Sequence, residues 1–394
     1  TPPFSLALKD AGNSYSPFTA PTVKGSGWNL GAGVSIDNSR SVHSTPFGII
    51  IVLNTYYPLD TSSKNDDSQA TKILCLDPAN GSLRWTRILE PASSEIDWSV
   101  TGTAQDLFRR DSSPGNPGPV VTSPNGHHLA IMVKPYLVSG SSSDVSDQRM
   151  RIVVIDTETG DATRTFEVSG LVLGQVLTND SLVVETSQHF YPAGTGTLNA
   201  VPLDDSRAEP TVTRTDQWLI GSTADSLLLA PQEFGMRDEC RGCHSFTITR
   251  VGITGEEMGT MPGIAQLRPA GWVERFKDPA AAAEIINRGG DPKEIGFALR
   301  KLPRELVDVD SGTVIDPGDL SPSEIPTPTG PAILLEKPSK DEEGHDISPV
   351  VSWLNVAAGE KTLRTDDLTY LTDKNNFNGV AAERIRMGEE TNTW

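Results

Sequence analysis

The segment of this chain with the most chemical promise is Cys240-Arg241-Gly242-Cys243-His244. Its C-x-x-C-H spacing is the one that attaches a c-type haem, with two thiols for the vinyl groups and the adjacent histidine as axial ligand. The same thiols could close a small loop as a disulfide, or act as a metal or thiol-redox pair. The flanks order these readings. Arg237-Asp238-Glu239 is a polar, loop-like lead-in, and the strand-like runs Leu227–Ala230 and Phe246–Ile248 lie on either side. No helical domain surrounds the motif to wrap a porphyrin, and no neighbour supplies the fourth ligand a zinc ion would want. A Cys240–Cys243 loop disulfide therefore leads, ahead of a metal or redox role and of haem.

The other candidates are weaker. Asp308-Val309-Asp310-Ser311-Gly312 hints at a calcium loop, but the further ligands and closing glutamate of an EF-hand are missing, so it reads as a turn. The histidines (His43, His127, His128, His189, His244 and His345) form no HExxH or H-x-x-x-H pair. Neither a G-x-S-x-G elbow nor a phosphate-cradling G-x-x-x-x-G-K-[ST] loop occurs. The expectation is a chain with no catalytic, cofactor-binding or metal residues, leaning away from an enzyme. The alternative is a pair of carboxylates brought together by the fold.

Composition narrows the partners. With 33 Lys plus Arg against 52 Asp plus Glu, the formal net charge is −19. A surplus of acid this large repels nucleic-acid phosphates and anionic lipid. No apolar run reaches the roughly 18 residues of a membrane helix. The 35 Gly and 29 Pro punctuate the chain into many turns.

The elements that must hold these residues are short strands. Ile49–Leu53, Leu129–Val133, Ile152–Ile155, Leu182–Val184, Leu227–Leu229 and Ala332–Leu335 are branched apolar runs bounded by Gly, Asn, Asp and Pro. Helix signals occur in one place. Asp278-Pro279 and Asp291-Pro292 each put an N-cap carboxylate before a first-turn proline, which predicts two short helices inserted over 278–302.

A turn recurs along the chain. Leu76-Asp77-Pro78-Ala79-Asn80-Gly81-Ser82-Leu83-Arg84-Trp85 is the fullest copy; Asp156 with Gly160, Asp308 with Gly312, and Asn355 with Gly359 keep the spacing. Glycine reaches positive φ without a Cβ clash, and the Asp or Asn side chain can bond the turn's own amides. Most copies recur at roughly 40–50 residues, the period of a propeller of four-stranded blades. The long intervals, Gly81 to Gly160 and Gly255 to Gly312, contain the polar loops Arg110–Pro119 and Ser139–Gln148 and the helices. The expected fold is all-β, one domain over 1–394. It is a seven-bladed β-propeller, with eight or six blades as alternatives, whose last blade joins segments from the two chain ends (Phe4–Trp28 and Leu368–Met387).

Asp77, Gly81 and Trp85 fall on the marked positions of the A-x-D-x-x-x-G-x-x-x-W repeat, so this copy resembles the PQQ-like, quinoprotein-type propeller repeat. The resemblance implies that Trp85 packs between adjacent blades, and that the chain is similar to secreted or envelope-attached bacterial propellers, including the propeller lipoprotein of outer-membrane assembly. Arg164 and Asp316 stand where two further copies would have Trp, and the adjacent Cys-Cys pair of the quinone-dependent dehydrogenases is missing. The expectation is a non-catalytic scaffold, extracellular or on the cell envelope, with a lipid anchor on an upstream leader compatible with it. It would bind a protein partner through its rim loops. The alternative is a glycan-active or quinone-dependent propeller enzyme with its site in the central funnel.

Overall fold

The computed structural model describes residues 6–10, 29–31, 40–55, 70–78, 82–90, 119–133, 136–137, 147–188, 195–205, 207–231, 245–327, 329–366, 370–377 and 380–386. Gly81, Cys240 and Cys243 lie outside these residues, as do most of Arg110–Pro119 and Ser139–Gln148.

All strand pairing is antiparallel among the described residues, and the strands follow one another as meanders. Two short strands come first, β1 (Ala7–Asp10) and β2 (Asn29–Gly31). The first meander is β3 (Arg40–Thr45), β4 (Gly48–Thr55), β5 (Ala70–Leu76) and β6 (Leu83–Glu90). The second is β7 (Val120–Thr122), β8 (His128–Met132), β9 (Tyr136–Leu137), β10 (Gln148–Asp156) and β11 (Ala162–Ser169), with β9 paired beside β8 on β10. The third is β12 (Leu171–Leu177), β13 (Ser181–Ser187), β14 (Gly196–Pro202) and β15 (Thr211–Thr215).

The fourth and fifth share a strand. They form one seven-stranded sheet of β16 (Gln217–Ser222), β17 (Leu227–Pro231), β18 (Phe246–Val251), β19 (Glu257–Leu267), β20 (Trp272–Phe276), β21 (Arg304–Asp308) and β22 (Val314–Ile315). The first part of β19 pairs with β18 and the last part with β20, with a bulge between Ile264 and Gln266. The sixth meander contains β23 (Ser321–Thr327), β24 (Gly330–Glu336) and, after the small hairpin β25 (Ser339–Lys340) and β26 (Asp346–Ile347), β27 (Val350–Asn355). The hairpin β28 (Tyr370–Phe377) and β29 (Val380–Arg386) closes the list, and β2 pairs with β29. β1 joins the first sheet instead, as a fifth strand on β6.

Consecutive sheets pack face to face. Ile50, Ile73 and Cys75 of the first meet Leu129, Ile131 and Val153 of the second. Val121, Ile152 and Val154 of the second meet Val172, Leu182 and Val184 of the third, and Val183, Leu198 and Ala200 of the third meet Leu219, Leu229 and Val251 of the fourth. Trp272 and Leu306 meet Ile333 and Leu354 in the same way. The core is thus a row of apolar seams. The second strand of each of these meanders is buried on both faces, which explains why β4, β8, β13, β17 and β24 read as continuous apolar runs. Ser44 of the first sheet donates a hydrogen bond to the Thr327 carbonyl of the sixth, bringing the start of the meanders against their end.

The helices stand where their caps predict, α1 at Pro279–Arg288 and α2 at Pro292–Arg300. Asp278 accepts from the Ala281 amide at 3.0 Å and Asp291 from the Lys293 amide at 2.8 Å. Ala282 and Leu299 press onto Ala265 and Phe276 of the sheet. The Lys277 amide already bonds the Pro303 carbonyl at 3.0 Å, so the helix pair grows from a closed hairpin neck.

Candidate functional site: two rims and an inter-sheet cleft

Because strands alternate in direction, the first and third connections of a meander lie at one end and its second connection lies at the other. The first end is short and hydrogen-bonded. Where β3 turns into β4, Thr45 Oγ1 donates to the Gly48 carbonyl at 2.8 Å. Thr327 Oγ1 donates to the Gly330 carbonyl at 2.6 Å, while Thr178 and Thr223 accept from the Ser181 and Ser226 amides at 3.0 and 3.1 Å. All four hydroxyl residues are buried. A hydroxyl before a tight turn replaces backbone partners that the turn leaves unmet.

The Asp-to-Gly turns stand at this same end. Asp156 Oδ1 accepts from the Glu158 and Thr159 amides at 2.9 Å, and the Gly160 amide bonds the Asp156 carbonyl at 2.8 Å. Asp308 accepts from the Asp310 amide at 3.3 Å, with Gly312 bonded to the Asp308 carbonyl at 2.8 Å. Asp310, the second acid of the calcium-like spacing, pairs with Arg250 at 2.6 Å. Gly160, Gly312 and Gly359 have φ of 75°, 70° and 70°. The Asp77 amide bonds the Ser82 carbonyl at 2.8 Å, and its carboxylate takes Arg84 at 2.9 Å. Turns of the two kinds bond each other: Thr157 Oγ1 donates to the Gly126 carbonyl at 2.6 Å, and Asn355 Nδ2 to Thr329 Oγ1 at 2.9 Å.

The outermost strands of the first three sheets each reach the next sheet's turn, whereas the Gly312 and Gly359 turns have open space beside the glycine. Trp85 lies on Gly160, where an added Cβ would stand 2.7 Å from the indole, and its Nε1 donates to the Thr157 carbonyl at 3.2 Å. Arg164, at the corresponding place, donates to the Asp205 and Ala208 carbonyls. Between the third and fourth sheets this role falls to Thr213, against Gly255. A threonine fills far less space than Trp or Arg, and there a cleft of about 410 Å³ opens. Its floor includes Leu198, Leu229 and Val251; Thr195, Thr213, Thr215 and Thr249 line its walls.

At the inner end of the same seam sits Glu185. It shares a face of the sheet with Leu198 and Thr213, register partners across β13, β14 and β15. It is 1% exposed and accepts the Leu219 amide of the next sheet at 2.9 Å, while Oε1 has no hydrogen-bond partner. Burial pushes its carboxyl up to about 8, only partly offset by the Leu219 bond. It is therefore a neutral acid at physiological pH. Glu274, by contrast, is buried between Arg268 at 2.5 Å and Arg304 at 2.7 Å; burial alone would raise its carboxyl, but the two guanidinium groups hold it low.

Three further groups bear on chemistry. Cys75 is a free, buried thiol pushed up to about 12 by burial, so it is a poor nucleophile. His43 is buried against Thr122 Oγ1 at 2.9 Å, and desolvation lowers it to about 4. Asp341, Glu343 and His345 bring one ligand atom each within 4.8 Å of one another at the tip of the β25–β26 hairpin. Two carboxylates and an imidazole suit a divalent metal chemically, but the His345–Asp341 contact at 3.2 Å and the turn bond from the His345 amide at 2.7 Å account for the arrangement.

The opposite end of the meanders is different. There the second strand of each of the six meanders passes to its third over 56–69, 133–147, 188–195, 232–245, 277–303 and 337–349; all but 188–195, which matches 203–210 at the first end in length, are longer than any connection there, and they include the Cys240–Cys243 segment, the helices and the β25–β26 hairpin. Sequence reasoning marked the Asp-to-Gly turns but missed the hydroxyl turns and Glu185. The one signal for Glu185 was an acid directly following the apolar run Leu182–Val184.

No protein-family model matches the chain, and no curated protein matches it. Among solved structures it is similar to the β-propeller domain of the trilobed protease from Pyrococcus furiosus (TM-score 0.37, 11% identity, 84% of this chain and 90% of that one). It is also similar to an acylaminoacyl peptidase of Pyrococcus horikoshii (TM-score 0.36, 13% identity, 88% of this chain and 57% of that one), of which it spans little more than half the length. A third is the hemagglutinin-neuraminidase ectodomain of parainfluenza virus 5 (TM-score 0.32, 9% identity, 97% and 85%).

Proposed function

We propose that this chain is a β-propeller that works as a protein-binding scaffold, presenting its long-loop rim to a partner. The observation that carries this reading is the contrast between the two ends: short, anchored turns at one, and the long connections with the helix pair at the other. A rigid frame with variable segments on one face is how a scaffold separates folding from recognition. The helix pair supplies an anchor. Phe297 is 60% exposed, with the Lys301 ammonium 4.2 Å from its ring. Exposed aromatic groups of this kind are typical of binding hot spots.

Six meanders plus the sheet β28–β29–β2 support a count of seven blades, the last combining both ends of the chain. The seating of Trp85 on Gly160 supports the PQQ-like repeat. An extracellular or envelope location for a bacterial protein partner belongs to the same proposal, and fractionation of the producing cells tests it.

The test of function replaces 278–302 with a tight turn between Lys277 and Pro303, residues that already face each other across the neck. The expected result is a protein that still unfolds cooperatively and keeps its β-sheet circular dichroism, with the helical signal gone and the midpoint lowered because Phe276 and Ala265 lose their cover, and with loss of the partner that the full chain co-purifies. Unchanged partner capture rejects the reading.

A further inference from the structure

The outermost strand of the third sheet, β15, has no strand beyond it among the described residues. Exposed edges invite pairing, and proteins commonly blunt them with Lys, Pro, bulges or a covering segment. The segment Thr211-Val212-Thr213-Arg214-Thr215 contains neither Lys nor Pro and has no bulge in its pairing with β14. Val212, a large apolar side chain, is 59% exposed.

The molecule itself shows what such an edge accepts. On the first sheet the corresponding strand, β6, is covered by β1, with Ala7 to Asp10 in register with Glu90 to Arg87. Two ion pairs hold it, Lys9–Glu90 at 2.5 Å and Asp10–Arg87 at 3.6 Å. A fifth, extended strand from a distant part of the chain thus fits outside a four-stranded meander of this protein.

The cleft distinguishes β15 from an ordinary open edge. It runs beside the strand from the Gly255 turn at one end to Thr195 and Asp216 at the other. Its lining combines an apolar floor with threonine walls, and Gln217, on its border, has a buried Oε1 without a hydrogen-bond partner. A strand laid on β15 would turn alternate side chains over this cleft. The others would meet Val212 and Arg214, which alternate along the strand with Thr213 and Thr215; Arg214 also borders the cleft.

We propose that β15 and the adjoining cleft bind an extended polypeptide segment of a partner protein, added as the fifth strand of the third sheet. The chemistry defines the segment: an aliphatic side chain over the Leu198–Val251 floor, and on its other face an apolar residue beside Val212 and a carboxylate beside Arg214. Main-chain bonds supply affinity and the alternating side chains supply selectivity, as in other β-augmentation sites. This surface is separate from the helix-bearing rim and goes beyond the rim reading.

The experiment pans a library of random peptides against the full chain, then titrates synthetic copies of the enriched peptides. Bound peptide is expected to slow hydrogen exchange at Thr211–Thr215. Binding is expected to weaken about tenfold in Val212→Lys and in Arg214→Glu; both side chains are exposed, so the unfolding midpoint should be unchanged. N-methylation of alternate peptide amides should abolish binding in one phase and spare it in the other. Replacing 278–302 should leave binding intact, which separates this site from the rim. Peptides that protect other strands, or a library that yields no enriched peptide, overturn the proposal.

Discussion

The two ends of the meanders solve opposite problems. At the turn end, buried Thr45, Thr178, Thr223 and Thr327 each hold a hairpin by a hydroxyl, and the Asp156 and Asp308 turns lock onto neighbouring sheets. At the loop end the strands run out into long connections, and the helix pair rests on an apolar cluster of Ala265, Phe276, Ala282 and Leu299. Two buried polar groups differ in the same sense. His43 lies close to the turn end and finds Thr122, whereas Glu185 lies towards the loop end and keeps one oxygen unpaired. The turn end is thus held by short local bonds, while the loop end carries the long connections.

The most damaging test of this contrast is Gly160→Val. The position has φ of 75°, and any Cβ would overlap the Trp85 ring at 2.7 Å. Left-handed strain and a rigid steric clash add, so a loss of about 4 kcal/mol or more is expected in urea unfolding. Gly359, with a similar φ of 70° and open space around it, is the control: Gly359→Val should lose only the conformational part, about 1–3 kcal/mol. Equal losses at the two sites would mean that the Trp85 contact contributes nothing.

Glu185 gives the next largest effect, and its sign is fixed by linkage. Its folded pKa of about 8 lies above the ordinary carboxyl value of 4.5. The stability tied to its proton is therefore complete below about 4.5 and is lost as pH rises towards 8, at about 1.4 kcal/mol per unit. Glu185→Gln should flatten that limb and stabilise the protein above pH 8, with little change at pH 4. His43 slopes the other way. Its folded pKa of about 4 lies below 6.5, so the unfolded chain takes up the proton first and stability falls as pH drops from 6.5 to 4. His43→Gln should remove part of this acid limb. Melting temperatures from pH 4 to 9 measure both, and parallel profiles for wild type and variants would refute both assignments.

These groups also show what a reader of the sequence could and could not see. The runs around Ile50, Ile131 and Leu334 were legible because strands buried on both faces lose their alternation. Asp156 and Gly160 were legible because only certain residues satisfy a turn with positive φ. The hydroxyl turns were not, since Thr178 or Thr223 looks like any polar residue until the buried amide beside it is known. The sharing of β19 by two meanders was hidden by an unbroken strand whose bulge at Ala265 carries no residue signature. Ala7–Asp10 was assigned with Phe4–Trp28 to the last sheet, yet lies on the first; the register of a four-residue edge strand depends on Arg87 and Glu90, residues far along the chain.

Smaller effects test the two ends directly. Thr223→Val removes the hydroxyl that accepts the Ser226 amide at 3.1 Å and pairs with Ser226 Oγ at 2.7 Å, keeping the volume. Leaving those buried groups unmet should cost about 1–3 kcal/mol. On the loop rim, Phe297→Ala should change stability by no more than about 0.5 kcal/mol, because the ring is 60% exposed, with Lys301 over its face. If the rim is the recognition face, the same substitution should nevertheless weaken partner binding by about tenfold or more, since truncating a central aromatic anchor typically costs more than 1 kcal/mol of association. A Phe297→Ala protein that unfolds early would show that the helix pair belongs to the frame. One that binds its partner unchanged would move the recognition surface elsewhere on the molecule.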